Sequence, residues 1–211
     1  VASKKADKVV IKYRVYAFEL TVRTSFVDAS HGYLNGASIF MYVEGLQDKK
    51  ATLEITPFKE WKVISTSLKP VADDEWTLAI PNYTILVDSP IEMGNHKVYT
   101  FKASGILHKV AVYGEANYDE KTFTKDLAKV VEACTAVVGE HPKGDYTFIV
   151  HNVASGGGGL EHLHSTSVIF NRFGYASERG YRGWLGLIAH EYFHLWNVKR
   201  IRPEALGPFD Y

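Results

Sequence analysis

Apolar and polar positions alternate in short runs through the first half of the chain. The β-branched and aromatic run Val9 to Tyr16 reads as a strand, and so do Ala37 to Val43, Ala51 to Thr56, Thr77 to Leu86 and Lys97 to Phe101. Turn signals separate them at His31-Gly32, Asn35-Gly36, Glu44-Gly45, Asp73-Asp74, Ser89-Pro90 and Gly94-Asn95. Strands this short and this evenly spaced predict an all-β, sandwich-like unit, with the aromatic stretches Tyr13 to Phe18 and Phe40 to Tyr42 in its core. Beyond Tyr118 the period changes. Phe123, Leu127, Val130, Val131 and Cys134 fall on one face of a helix that ends near Gly139, with Cys134 as inert packing. Asp145 to Val150 and Ser167 to Phe170 read as buried strands. Gly180 to Ile201 reads as a mostly buried helix stopped by Pro203, and Gly207-Pro208 opens an irregular tail. The pattern predicts an α+β chain: a sandwich-like domain over residues 1–115 and a mixed domain over residues 116–211, divided between residues 110 and 120.

Composition narrows the function classes. The 211 residues are 46% hydrophobic, which supplies a sizeable core and argues against disorder. Lys+Arg and Asp+Glu are 24 each, so the overall basic balance of a nucleic-acid binder is missing. A single cysteine excludes an internal disulfide framework and a multi-cysteine metal cluster. No apolar run approaches the roughly 20 residues of a membrane span, and Val1-Ala2-Ser3-Lys4-Lys5 lacks the apolar stretch of a signal peptide. An opening without Met reads as a processed piece, so compartment stays open between the periplasm and the cytoplasm of a bacterium, with the periplasm favoured. Oligomeric state is not legible.

The sharpest chemical signal is His190-Glu191-Tyr192-Phe193-His194. Histidines at i and i+4 of a helix project from one face, one turn apart, and can share a tetrahedral Zn2+. Glu191, beside the first ligand, can take a proton from the attacking water and hand it to a leaving amine. The same five residues also occur by chance. What favours metal here is their setting in an apolar helix, where three ionisable side chains are costly without a partner. A metzincin would carry Gly and His where this chain has Asn197 and Arg200, so that class is excluded. The acids remaining after His194 are Glu204, just past Pro203 and awkwardly placed, and Asp210. In related zinc peptidases a Glu from a following helix is the third ligand, and by that likeness it is expected beyond Tyr211.

A second signal is Gly156-Gly157-Gly158-Gly159-Leu160-Glu161-His162. Glycines let another backbone approach with no Cβ in the way, so Gly158, Gly159 and Leu160 are candidates for pairing with an extended peptide. Glu161 is a candidate to hold a free α-ammonium by a charge-assisted bond. Taken alone, the run also reads as a flexible loop; its company with the zinc helix favours function.

Gly157 to His162 together with His190 to Pro203 resemble the glycyl aminopeptidase family of zinc peptidases, whose members often carry a C-terminal PDZ domain. The resemblance implies an N-terminal β domain followed by the first part of a thermolysin-like catalytic domain. It also implies removal of small N-terminal residues such as Gly and Ala from peptides with a free N-terminus. By the same resemblance His190 and His194 match zinc ligands, Glu191 the catalytic base, and Glu161 the acidic residue of the exopeptidase motif. The chain stops before the family's glutamate ligand, transition-state tyrosine and PDZ module, so this fragment alone is expected to bind zinc weakly and cleave little. Two rival readings remain: an endopeptidase on the same zinc scaffold, and a β-sandwich peptide-binding or structural domain with a vestigial zinc helix. His151, His162 and His164 are weaker cleft candidates. Lys199, Arg200 and Arg202 read as C-terminal capping of the zinc helix rather than as substrate contacts.

Overall fold

A computed structural model describes residues 8–206. In chain order the elements are β1 (Phe26–Val27), β2 (His31–Leu34), β3 (Ala51–Glu54), β4 (Val63–Ser65), β5 (Lys69–Val71), β6 (Asp74–Ile80), α1 (Tyr83–Val87), β7 (Ile91–Gly94), β8 (Lys97–Ala103), β9 (Ile106–Tyr113), α2 (Glu120–Val138), β10 (Tyr146–Val153), β11 (Gly158–Glu161), β12 (Ser165–Asn171) and α3 (Glu178–Phe193). The chain is α+β. The opening Val1 to Lys5 and the tail from Gly207, with Asp210, lie outside the described residues.

The first part builds two antiparallel sheets, ordered β1-β2-β7-β4 and β3-β6-β5. Leu78 and Ile80 of β6 and Ile91 and Met93 of β7 share a core with Trp61 and Leu68, so the sheets bury their apolar faces against each other. The strand expected over Ala37 to Val43 does not form, and three further expectations fail here. Val9 to Tyr16 forms no strand, and Val9, Tyr13, Tyr16 and Phe18 are exposed, because no partner strand takes up this backbone among the described residues. The stretch from Phe40 to Tyr42 is not core either: Gly36–Ser38 is a 3-10 turn, and Met41 and Tyr42 lie exposed. The run Thr77 to Leu86 breaks at Pro81, where the Asn82 side chain accepts from the Ile85 N–H and starts α1.

A mixed five-stranded sheet follows, ordered β11-β12-β10-β9-β8. Central β10 runs parallel to both β9 and β12, while β8 and β11 are antiparallel edges. The expected division near residue 115 thus falls in the β9–β10 connection of one continuous sheet. Strand alternation assigns its two faces. Tyr146, Phe148 and Val150 of β10 face α2 and α3, whose Phe123, Leu127, Trp184 and Ile188 complete that core. Ile149, with Ala111, packs against Tyr33 of the N-terminal sheet. The result is three layers, helices on the mixed sheet on the N-terminal sheets.

Helix α2 starts where Asp119 accepts from the Lys121 and Thr122 N–H groups and stops at left-handed Gly139. Helix α3 starts at Ser177 but ends at Phe193, well before Ile201 and Pro203. Tertiary contacts end it. The Trp196 indole donates to Glu140 O (3.1 Å), Lys199 reaches Asp88 (2.9 Å), and Val198 takes a left-handed φ of 100° that reverses the chain. The helix is also less buried than expected, with His190 exposed and His194 half-buried.

Candidate active site

His194 caps α3 with helical angles (φ −60°, ψ −16°), so it stays one turn below His190 on the same face. The two Nε2 atoms are 3.2 Å apart. Ligands about 2.05 Å from a tetrahedral zinc ion lie about 3.3 Å apart, so the spacing fits one shared ion. His194 Nδ1 lies 3.0 Å from Asn197 O, a carbonyl that can only accept. The ring proton therefore sits on Nδ1 and leaves Nε2 bare toward His190. Two ring nitrogens this close need a proton or a cation between them.

Glu191, next to His190 in the chain, is buried. Its Oε2 has no hydrogen-bond partner. Burial pushes its carboxyl above the usual range, and the Glu161 carboxylate adds to this, against the lowering pull of His190, His194 and Arg23. Ligand atoms of Glu161, Glu191 and His194 all lie within 4.8 Å of one another, so like charges and an imidazole converge on one point. That donor set, with its unpartnered buried oxygen, suits a divalent cation.

β11 supplies the opposite wall. It is the outermost strand, held by β12 in the register Gly159↔Val168 and Leu160↔Ser167. A Cβ placed on Gly159 would lie 2.3 Å from the Glu191 carboxyl carbon, so the space this glycine leaves is taken by Glu191. Gly158 has φ +132°, a conformation open to glycine, with nothing near its missing Cβ. The structure thus brings Glu161, Gly159, Glu191, His194 and His190 together.

The weaker candidates scatter. His162 follows Glu161, with Nδ1 3.1 Å from Asp88 Oδ1. His164 lines a mostly apolar cavity of about 400 Å³ with Lys69, Asp145 and Ile85. His151 belongs elsewhere: its Nε2 and His31 Nδ1 each lie 2.8 Å from a different oxygen of Glu92, all three fully buried. This second cluster does not suit a metal. With Glu92 ionised, its carboxylate accepts only, and both inner nitrogens then carry protons. Moving those protons outward to free the inner nitrogens would leave His31 Nε2 and His151 Nδ1 donating to nothing, since neither has a partner. Lys199 is no simple cap but pairs with Asp88, whereas Arg200 does donate to a late carbonyl, Leu195 O, at 2.7 Å.

Sequence reasoning missed the residues that support α3 from behind. The Tyr192 hydroxyl bonds both His108 Nε2 (2.8 Å) and His141 Nε2. These partners are far apart in sequence and carry no shared motif.

Residues 1–95 match the peptidase M61 N-terminal domain, and residues 183–211 match the M61 glycyl aminopeptidase family. The chain belongs to the M61 peptidase family. The M61 match over residues 183–211 takes in His190, Glu191 and His194. The fold is similar to that of a crystal structure of an aminopeptidase N family protein from Idiomarina loihiensis, with a TM-score of 0.86 and 33% identity over 93% of this chain. The match covers 35% of that protein, so the chain spans about a third of its length. No curated protein sequence matches. No helix among the described residues is long and apolar enough to cross a membrane.

Proposed function

We propose that this chain carries the metal-binding and amine-binding walls of an aminopeptidase that removes small N-terminal residues, of the Gly and Ala class, from peptides. The convergence of Glu161, Glu191 and His194 within 4.8 Å is the observation that carries the reading. His190 and His194 would hold a Zn2+ through their Nε2 atoms, with a further protein ligand completing the set. Zinc supplies the positive charge that polarises the scissile carbonyl and makes water nucleophilic near neutral pH.

The chain's own residues supply the rest. β11, the outer strand of the mixed sheet, can pair through its other edge with the backbone of an extended peptide. Glu161, at the end of that edge, holds the substrate α-ammonium and so admits only a chain end. Glu191 takes the proton of the attacking water and delivers it to the departing amine nitrogen. Its raised affinity for protons, from burial and from Glu161, suits both halves of that task.

Two comparisons on the full-length protein test this. Glu191→Gln should keep its metal and lose about 100-fold or more in turnover of Gly- and Ala-anilides. Acetylating the substrate amine should abolish cleavage. Equal cleavage of free and acetylated substrates would make the enzyme an endopeptidase, and an active Glu191→Gln variant would remove Glu191 from the chemistry.

A further inference from the structure

Asp88 is the C-terminal cap of α1, in the N-terminal part of the chain, with its own N–H bonded to Leu86 O and Thr84 O. Its carboxylate reaches across to two segments of the candidate site. Oδ2 accepts from the Leu163 N–H at 2.8 Å, and Oδ1 lies 3.1 Å from His162 Nδ1. Those residues directly follow Glu161. Oδ1 also accepts from Lys199 Nζ at 2.9 Å. Lys199 in turn donates its N–H to His194 O at 3.2 Å. All three side chains are largely shielded, at 15% exposure for Asp88, 16% for Lys199 and 5% for His162. Burial by itself would raise the Asp88 carboxyl, but His162 and Lys199 outweigh it and hold the group below its usual value, as a charge fully engaged by its partners.

We propose that Asp88 is a positioning residue, a clamp that fixes amine-binding Glu161 at a set distance from metal-binding His194 and thereby fixes the register in which a substrate chain end is held. The proposal rests on the aminopeptidase reading above. Its physical basis is that one largely shielded carboxylate accepts from the backbone N–H of Leu163 and from the side-chain ammonium of Lys199, and so ties two segments together. Relaxing it frees the Leu163 and Lys199 ends to move independently, while His190, His194 and Glu191 stay on α3.

The test uses Asp88→Asn, Lys199→Met and the double variant in the full-length protein. Asparagine keeps the shape and an acceptor for Leu163 but loses the charge that holds Lys199. For Asp88→Asn, KM for Gly- and Ala-anilides should rise about tenfold while kcat changes less than about threefold, since the ammonium contact is present before and during the reaction. Metal content should be unchanged, and the double variant should be no worse than Asp88→Asn alone. Amide hydrogen exchange should speed up together over residues 158–164 and 195–201, with α2 unaffected. If Asp88→Asn fails to fold, Lys199→Met carries the same expectations in weaker form. Unchanged KM, loss of kcat at constant KM, or faster exchange in only one segment would overturn the clamp. A wild-type protein that leaves the anilides uncut would defeat the aminopeptidase reading instead, and the exchange data would then decide the clamp on their own.

Discussion

Gly159 and Glu191 occupy the same space, and this one contact links the two motifs that stand out in the sequence. A methyl group at Gly159 would sit 2.3 Å from the Glu191 carboxyl carbon and force that carboxylate out of its place. Gly159→Ala should therefore cut turnover about tenfold or more with little change in melting temperature, as measured by steady-state kinetics beside a thermal melt. Unaltered kinetics would mean that Glu191 has room to shift without consequence. The closeness of His190, Glu191 and His194 was legible because spacing and residue type sit within one helical turn. The glycines before Glu161 marked the strand that lies against Glu191, although the structure gives Gly159 a different neighbour from the substrate backbone expected there. Asp88 and Asn197 were not legible. Asp88 acts across 74 and 111 residues, and Asn197 acts through its carbonyl, which no residue type announces.

At the scale of elements, periodicity served where an element is buried on one face by its neighbours and failed where tertiary contacts decide. Helix α2 shows the first case: its apolar stripe Phe123, Leu127, Val131 and Cys134 is buried, and the expected helix matches the observed one. Its Asp119 cap closes two N–H groups at 2.9 and 3.0 Å. Asp119→Ala should lower the urea midpoint at constant m-value. No shift would show that solvent satisfies those N–H groups equally well. Helix α3 shows the second case. Its apolar pattern runs on to Ile201, but Trp196 and Leu195 are buried in a turn rather than a helix, because Glu140 and Asp88 offer better partners there. The run Val9 to Tyr16 has the composition of a strand, yet composition cannot supply the neighbour that a strand needs.

Across the whole molecule, the buried cluster of Glu92, His31 and His151 ties the N-terminal sheet to β10, and several further histidines are folded into dry surroundings. Burial, helped by His151, His31 and Lys109, pushes His96 down to about 4. Burial and His141 push His108 to about 4 as well. Both are neutral in the folded protein, while the unfolded chain takes up their protons below about 6.5. Their stabilising contribution is therefore complete above pH 6.5 and lost as pH falls toward 4. Burial raises the Glu92 and Glu191 carboxyls, which opposes this trend, but they are outnumbered, since burial holds His141, His151 and His164 down as well. Denaturant midpoints should consequently drop between pH 7 and pH 5, and His96→Gln should flatten the drop. A midpoint that holds or rises on acidification would refute that balance.

Among the described residues two clusters that could hold a metal, one at the end of α3 and one between the sheets, bring histidines and carboxylates together, and they can be told apart directly. Crystals of the full-length protein grown with zinc, measured at the zinc absorption edge, should show one anomalous peak about 2.1 Å from both His190 Nε2 and His194 Nε2. A peak among His31, Glu92 and His151 instead, or none at α3 with zinc in excess, would contradict the account.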